Sequence, residues 1–216
     1  MDGLLVDSEP AWRAVHREVF ANLGMQLEEW PALVTTGMRV DEVVALRRSY
    51  FDWGEPADGA VVEMITDRVA QHLAADSVLL PGAIEAIDWC RRYGMAVALA
   101  TGSTWAVLDA VAQRFDLGRH LDALVSAEDV EFGKPHPAVF MTAAAAIGIE
   151  PTACLAFEDS LTGLIAAKAA SMRAVAVPRG PSTGDPRMVL ADVLLESLLD
   201  IDDGRVAALA GVELPA

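Results

Sequence analysis

The sequence predicts an α/β fold, a parallel β-sheet core covered by helices, with a small all-helical unit near its start. Three observations predict it. After Leu80-Pro81-Gly82, short apolar runs alternate with helical segments, the rhythm of βαβ units. Between Glu9 and Val78 only helical periodicity is found. Apolar residues make up 53% of the 216, against 22% charged, enough to fill a core covered on both faces.

In order along the chain, MDGLLVDSEP reads as the exit from a buried strand rather than as the start of a domain. Glu9-Pro10 opens the first helix, with Trp12, Val15, Val19, Phe20 and Leu23 at helical spacing and Gly24 placed to end it. A second helix is predicted over Arg39–Phe51. A third runs over Ala57–Ala75, with Val61, Val62, Ile65, Val69 and Leu73 on one side. Residues 9–78 then form the helical unit, and residues 1–8 and 79–216 the core, with crossings near Glu9 and at Pro81-Gly82. The predicted strands are Met95–Thr101, Ala123–Ala127, Cys154–Asp159, Arg173–Pro178 and Asp192–Ser197. Helices are predicted over Ala83–Arg92, Thr104–Phe115, Pro137–Ile147 and Leu161–Ala170.

The formal net charge of −16 excludes a general nucleic-acid binder, because phosphate backbones reward an excess of Lys and Arg. It also argues against an anionic membrane surface. No apolar run approaches the ~18–20 residues of a membrane span. MDGLL carries an acid where a secretory leader carries basic residues, so a cytoplasmic protein is expected. Cys90 and Cys154 have neither metal nor redox spacing and read as buried free thiols.

In open parallel sheets chemistry collects at the carboxyl ends of the strands. Those ends carry Thr101-Gly102-Ser103, then Lys134 held between Gly133 and Pro135, then Glu158-Asp159, with Asp2-Gly3 ahead of all of them. Singly, Thr101 reads equally as a helix cap, Lys134 as a solvated loop residue and the acid pair as a helix start. Together they are what phosphoryl chemistry requires. A hydroxyl and adjacent amides hold phosphate oxygens, a lysine neutralises their charge, and paired carboxylates offer oxygen ligands to a hard cation.

DGLLVDSEP, ALATGS, GKPHPAVF and FEDSLTGLIAAKAA, in this order, resemble the motifs of the haloacid dehalogenase superfamily. The resemblance covers essentially the whole chain. It is nearest to the sugar phosphatases and β-phosphoglucomutases whose helical cap is inserted after the first strand of a Rossmann-like core. DSEPAW, TGMRVDEVV, LLPG and KAASMRAVAVP look most like the bacterial hexitol and 2-deoxyglucose-6-phosphate phosphatases within that family.

The resemblance implies a Mg2+-dependent phosphatase of a small sugar or sugar-alcohol phosphate, working as a monomer through an aspartyl-phosphate. In the family's DxDG motif, Asp2 is the second aspartate, the general acid/base, which also offers its carbonyl to the metal. The nucleophilic first aspartate falls immediately ahead of Met1, as does the first strand. The chain as written is therefore expected to be inactive. Either its start is misassigned or the protein is genuinely shortened. A central strand brings roughly four buried side chains at ~1.5–3 kcal/mol each, comparable to a whole domain's ~5–15 kcal/mol, which favours misassignment. Asp159 and Glu158 are the other implied metal ligands. Thr101, Gly102 and Lys134 are the implied phosphoryl ligands, with Ser103 and Trp105 near the sugar. Arg39 either meets the substrate or has no role, and Trp12 faces either the cap core or the sugar. His16, one turn beyond Trp12, reads as a surface residue. Related mutases carry a histidine where this chain has Trp12, which makes a mutase the second reading. A non-enzymatic sugar-phosphate binder is the third.

Overall fold

The computed structural model describes residues 1–26, 35, 37–202 and 204–213. Three helices come first: α1 (Glu9–Asn22), α2 (Val40–Tyr50) and α3 (Asp58–Asp76). Pro10 occupies the first turn of α1, where its missing N–H costs nothing, and Gly24 at φ +85° follows the helix end. Val15, Val19 and Phe20 of α1 meet Val61, Ile65, Val69 and Leu73 of α3 in one buried cluster, which continues through α5 (Trp105–Arg114) by Val107, Leu108 and Val111. Each such side chain contributes about 1.5–3 kcal/mol when fully buried. Thr36, within the TGMRVDEVV stretch, lies outside the described residues.

The α/β part runs α4 (Ala83–Arg92), β1 (Ala98–Thr101), α5, β2 (Ala123–Ser126), α6 (Ala138–Ala146), β3 (Leu155–Glu158), α7 (Leu161–Ala169), β4 (Arg173–Ala176), β5 (Val193–Leu194) and α8 (Gly204–Ala210). All named strand pairs are parallel. β1 pairs with β2 from Ala98↔Ala123 to Thr101↔Ser126, and β3 pairs with β4 from Leu155↔Arg173 to Glu158↔Ala176. β5 joins β4 at Val175↔Val193. α6 and α7 are apolar almost all round, as expected of helices enclosed against the sheet, and bury Val139, Phe140, Ala143, Leu164, Ala166 and Ala167.

Among the described residues the strands form two sheets, β1-β2 and β3-β4-β5. The facing edges of β1 and β3, together with Met1, Leu4 and Leu5, wall a cavity of about 570 Å³. The opening residues make only isolated bridges, Asp2 with Val6 and Val6 with Leu79. The strands begin later or end sooner than the apolar runs suggested. Met95, Ala96 and Val97 precede β1, and of Asp192–Ser197 only Val193 and Leu194 pair, because β5 has one neighbour and a short shared register. The thiols differ from the expectation as well: Cys90 and Cys154 are free but only half-buried, with burial pushing the Cys90 thiol up to about 11. No described helix is long and apolar enough to cross a membrane.

Candidate active site

The strand ends converge on one mouth of the cavity, whose wall includes Asp2, Trp12, Thr101, Gly102, Ser103, Lys134, Glu158 and Asp159. β1 delivers Thr101. Its hydroxyl donates to Asp2 Oδ2 at 3.3 Å and accepts from the Ser103 amide at 3.1 Å. Thr101 is therefore not a helix cap; that position on α5 belongs to Thr104. Ser103 Oγ donates to the same Asp2 oxygen at 2.9 Å, and Trp12 Nε1 donates to Asp2 Oδ1 at 3.0 Å. The Trp12 ring packs on the helical cluster while its N–H reaches Asp2.

β3 delivers the acid pair. Lys134 and Glu158 form an ion pair in which each side chain is 6% exposed, and Lys134 Nζ also lies 4.8 Å from the Phe140 ring centroid. The Lys134–Pro135 peptide is cis. Ser160 Oγ donates to Glu158 Oε2 at 3.1 Å and accepts from the Gly163 amide, which caps α7. Gly3, at φ +67°, presses its α-carbon against Asp159, and a Cβ there would collide with the Asp159 carboxylate.

The three carboxyls of the site are not held alike. Burial opposes ionisation of Asp2, but the Met1 ammonium and the hydrogen bonds from Trp12 and Ser103 hold its carboxyl below the usual range. Burial acts the same way on Glu158, and Lys134 overcomes it. At Asp159 burial and then the Glu158 charge win, pushing the carboxyl up to about 7. Asp159 is thus a carboxylate short of positive charge, facing the cavity beside the Asp2-Gly3 backbone.

The sequence of this region matches the haloacid dehalogenase-like hydrolases over residues 1–171. The chain belongs to that family. It is 43% identical to hexitol phosphatase B of Escherichia coli K12 over 202 residues, 93% of this chain and 91% of the relative. It is 33% identical to a fructose-1-phosphate phosphatase of the same organism, over 82% of this chain and 93% of that one. The CbbY protein of Rhodobacter sphaeroides, crystallised with phosphate, superposes with a TM-score of 0.82 at 28% identity, covering 95% of this chain and 96% of that one. The β-phosphoglucomutase of Clostridium difficile reaches the same TM-score at 17% identity and shares the fold.

Three members of this hydrolase's predicted set lie elsewhere than expected. Trp105, expected near the sugar, does not line the cavity; its Nε1 donates to Asp129 Oδ1 at 2.9 Å. Arg39 does not line the cavity. Its Nε and Nη2 grip Asp41, and Nη1 donates to Val130 O at 2.7 Å. His16 is not a surface residue. Its ring stands between Trp12 and Phe20 at centroid distances of 5.7 and 5.9 Å, it lines the cavity, and its Nε2 is sealed from solvent without a partner among the described residues. The 12–16–20 spacing, one turn per step along the buried stripe of α1, was the signal for it.

Burial, assisted by Arg47, pushes His16 down to about 4. A histidine ordinarily near 6.5 then takes its proton in the unfolded chain before the folded one. Stability from this residue is fully present above about pH 6.5 and is lost as pH falls towards about 4. We expect a loss of about 2 kcal/mol between roughly pH 7.5 and roughly pH 5, as measured by urea unfolding. His16→Gln should flatten that part of the profile, and an unchanged slope would show that another group carries it.

Proposed function

We propose that this hydrolase removes phosphate from a small sugar or sugar-alcohol phosphate through an aspartyl-phosphate. The observation that carries the proposal is the convergence of Asp2, with its two hydroxyl donors, and the Lys134–Glu158–Asp159 cluster on one cavity mouth. The names of the phosphatase relatives support the substrate class. Residues 9–78 are read as the cap and residues 1–8 with 79–216 as the core.

The nucleophile this mechanism requires is not among the 216 residues and would stand immediately ahead of Met1. The position is chemically apt. Met1 is 7% exposed, and its ammonium acts on Asp2, Glu158 and Asp159 together, so a residue joined there enters the acid cluster beside Lys134. The attached carboxylate attacks phosphorus and forms the acyl phosphate. Asp2 protonates the leaving sugar oxygen and then takes a proton from the water that cleaves the acyl phosphate. Joining a residue to Met1 also turns the ammonium into a neutral amide. That removes the largest influence lowering the Asp2 carboxyl and moves it towards the protonated form a general acid needs. Thr101, the Gly102 amide and Lys134 hold the phosphoryl oxygens, and Ser103 and Trp12 orient the Asp2 carboxyl.

Asp159, Glu158 and the Asp2 carbonyl are the residues that would hold a magnesium ion. The raised Asp159 carboxyl, beside Glu158 and the Gly3 backbone, fits a hard cation. Among the described residues no three acidic, histidine or cysteine side chains cluster as ligands, so main-chain oxygen would be needed beside the two carboxylates. Bound magnesium supplies charge neutralisation at the phosphoryl oxygens.

With an aspartate ahead of Met1, the protein should release phosphate from hexitol and hexose phosphates in magnesium and fall silent in excess chelator. Full turnover in chelator would sink the metal assignment. Preference for a non-sugar phosphomonoester across the panel would sink the substrate class.

A further inference from the structure

Among the described residues, residues 37–42 of the cap meet the core next to the phosphate-binding groups. Gly37 O stands 3.2 Å from where a Cβ on Gly102 would lie, and Gly37 itself packs on Ser160 and Thr162. The strongest contacts are made to the loop that ends in Lys134. Arg39 Nη1 donates to Val130 O at 2.7 Å and to Glu131 O at 3.4 Å, while the rest of its guanidinium is fixed on Asp41. Glu42 Oε1 accepts from the Gly133 amide at 3.1 Å. Its other oxygen accepts from the Arg39 amide at 3.4 Å and so caps α2. Gly133 is buried under this pair, and a Cβ on it would meet Arg39 Cδ at 2.7 Å and Glu42 Oε2 at 2.8 Å. Only a glycine lets the cap come this close.

We propose that Arg39 and Glu42 are positioning residues, a clasp through which the docked cap fixes the Val130–Gly133 loop and thereby the backbone that aims Lys134 into the site. Neither side chain touches the cavity; both act through main-chain atoms of the loop. Gly133 N–H and Val130 C=O are held by cap side chains, so the docked cap adds to what fixes this loop. Lys134 is the next residue, and its ammonium must stand over the phosphoryl group within a fraction of an ångström to be effective. The inference rests on the proposed phosphatase reading for its consequence on rate, and on the hydrogen bonds alone for the clasp itself.

The test therefore has two arms. Amide hydrogen exchange at Gly133, followed by NMR in this chain, reads the clasp without any turnover. Glu42→Ala should speed exchange at Gly133 by about tenfold or more, because a hydrogen bond to a carboxylate is lost. Glu42→Gln keeps an acceptor oxygen and should restore most of the protection. Arg91→Ala, which breaks the distant Arg91–Asp122 pair, should leave Gly133 unchanged. Steady-state kinetics in the protein carrying the upstream aspartate reads the consequence. Glu42→Ala should lower kcat for a hexitol phosphate about tenfold with a smaller change in KM, and Glu42→Gln should recover it. Unchanged exchange in Glu42→Ala overturns the clasp, whatever the kinetics. Faster exchange with unchanged kcat overturns its role in placing Lys134. A parent enzyme without activity on any phosphomonoester overturns the phosphatase reading instead, and the exchange result then stands on its own.

Discussion

Lys134→Ala is expected to lower kcat/KM for a hexitol phosphate by about 10²–10³ and to destabilise the fold by about 3–5 kcal/mol. The two losses have different origins. The rate falls because a preorganised positive charge is removed from a desolvated phosphoryl group. Stability falls because Glu158, 6% exposed, is left as a buried carboxylate whose remaining side-chain donor is Ser160. The ion pair itself adds little net stability; the cost arises from stranding one partner. A second variant separates the effects. Lys134→Met combined with Glu158→Gln replaces both charges with neutral groups of similar size, so most of the stability should return while turnover stays lost. Urea unfolding and steady-state kinetics on the three proteins check this. A single mutant within tenfold of the parent in kcat/KM, with unchanged stability, would place Lys134 outside the site.

Helices α1 to α7 were legible in the sequence almost to the residue, whereas α8 was not predicted. Ala83–Arg92 is α4 as predicted, and the predicted Leu161–Ala170 differs from α7 by one residue. Their ends are marked locally, by Pro10, Gly24 and the Ser160 cap, and local marks are what a sequence carries. Strand lengths were less legible because pairing depends on a neighbour. Nothing within Met95–Val97 says that the register with β2 begins only at Ala98. Thr101, Ser103, Lys134, Glu158 and Asp159, which the structure brings to one cavity, could be singled out because each stands at the end of a recognisable strand or in the loop after one. The partners of Arg39 were not legible for a physical reason: they include the carbonyls of Val130 and Glu131, some ninety positions away, and a main-chain carbonyl leaves no trace in residue identity. Glu42 was missed for the same reason, since its partner is the Gly133 amide. His16 was misjudged because a histidine on a helix was weighed alone rather than with Trp12 and Phe20 on the same stripe.

The account turns on the position immediately ahead of Met1. In the proposed mechanism a carboxylate there attacks phosphorus, and the remaining groups hold the phosphomonoester for it. Three proteins compared in parallel test this: the chain from Met1, the chain preceded by an apolar strand ending in aspartate, and the same extension ending in asparagine. The extension should also occupy the cavity between β1 and β3 and pair with both facing edges, so the two extended proteins should melt well above the Met1 chain. Phosphate release from a hexitol phosphate with magnesium is the deciding readout. The aspartate protein should turn over at ordinary enzymatic rates, on the order of 1–10³ s⁻¹. The asparagine protein, equally well folded, should show none above background, and neither should the Met1 chain. Metal-dependent turnover by the Met1 chain, or equal turnover by the asparagine protein, would contradict the mechanism and show that another residue supplies the nucleophile.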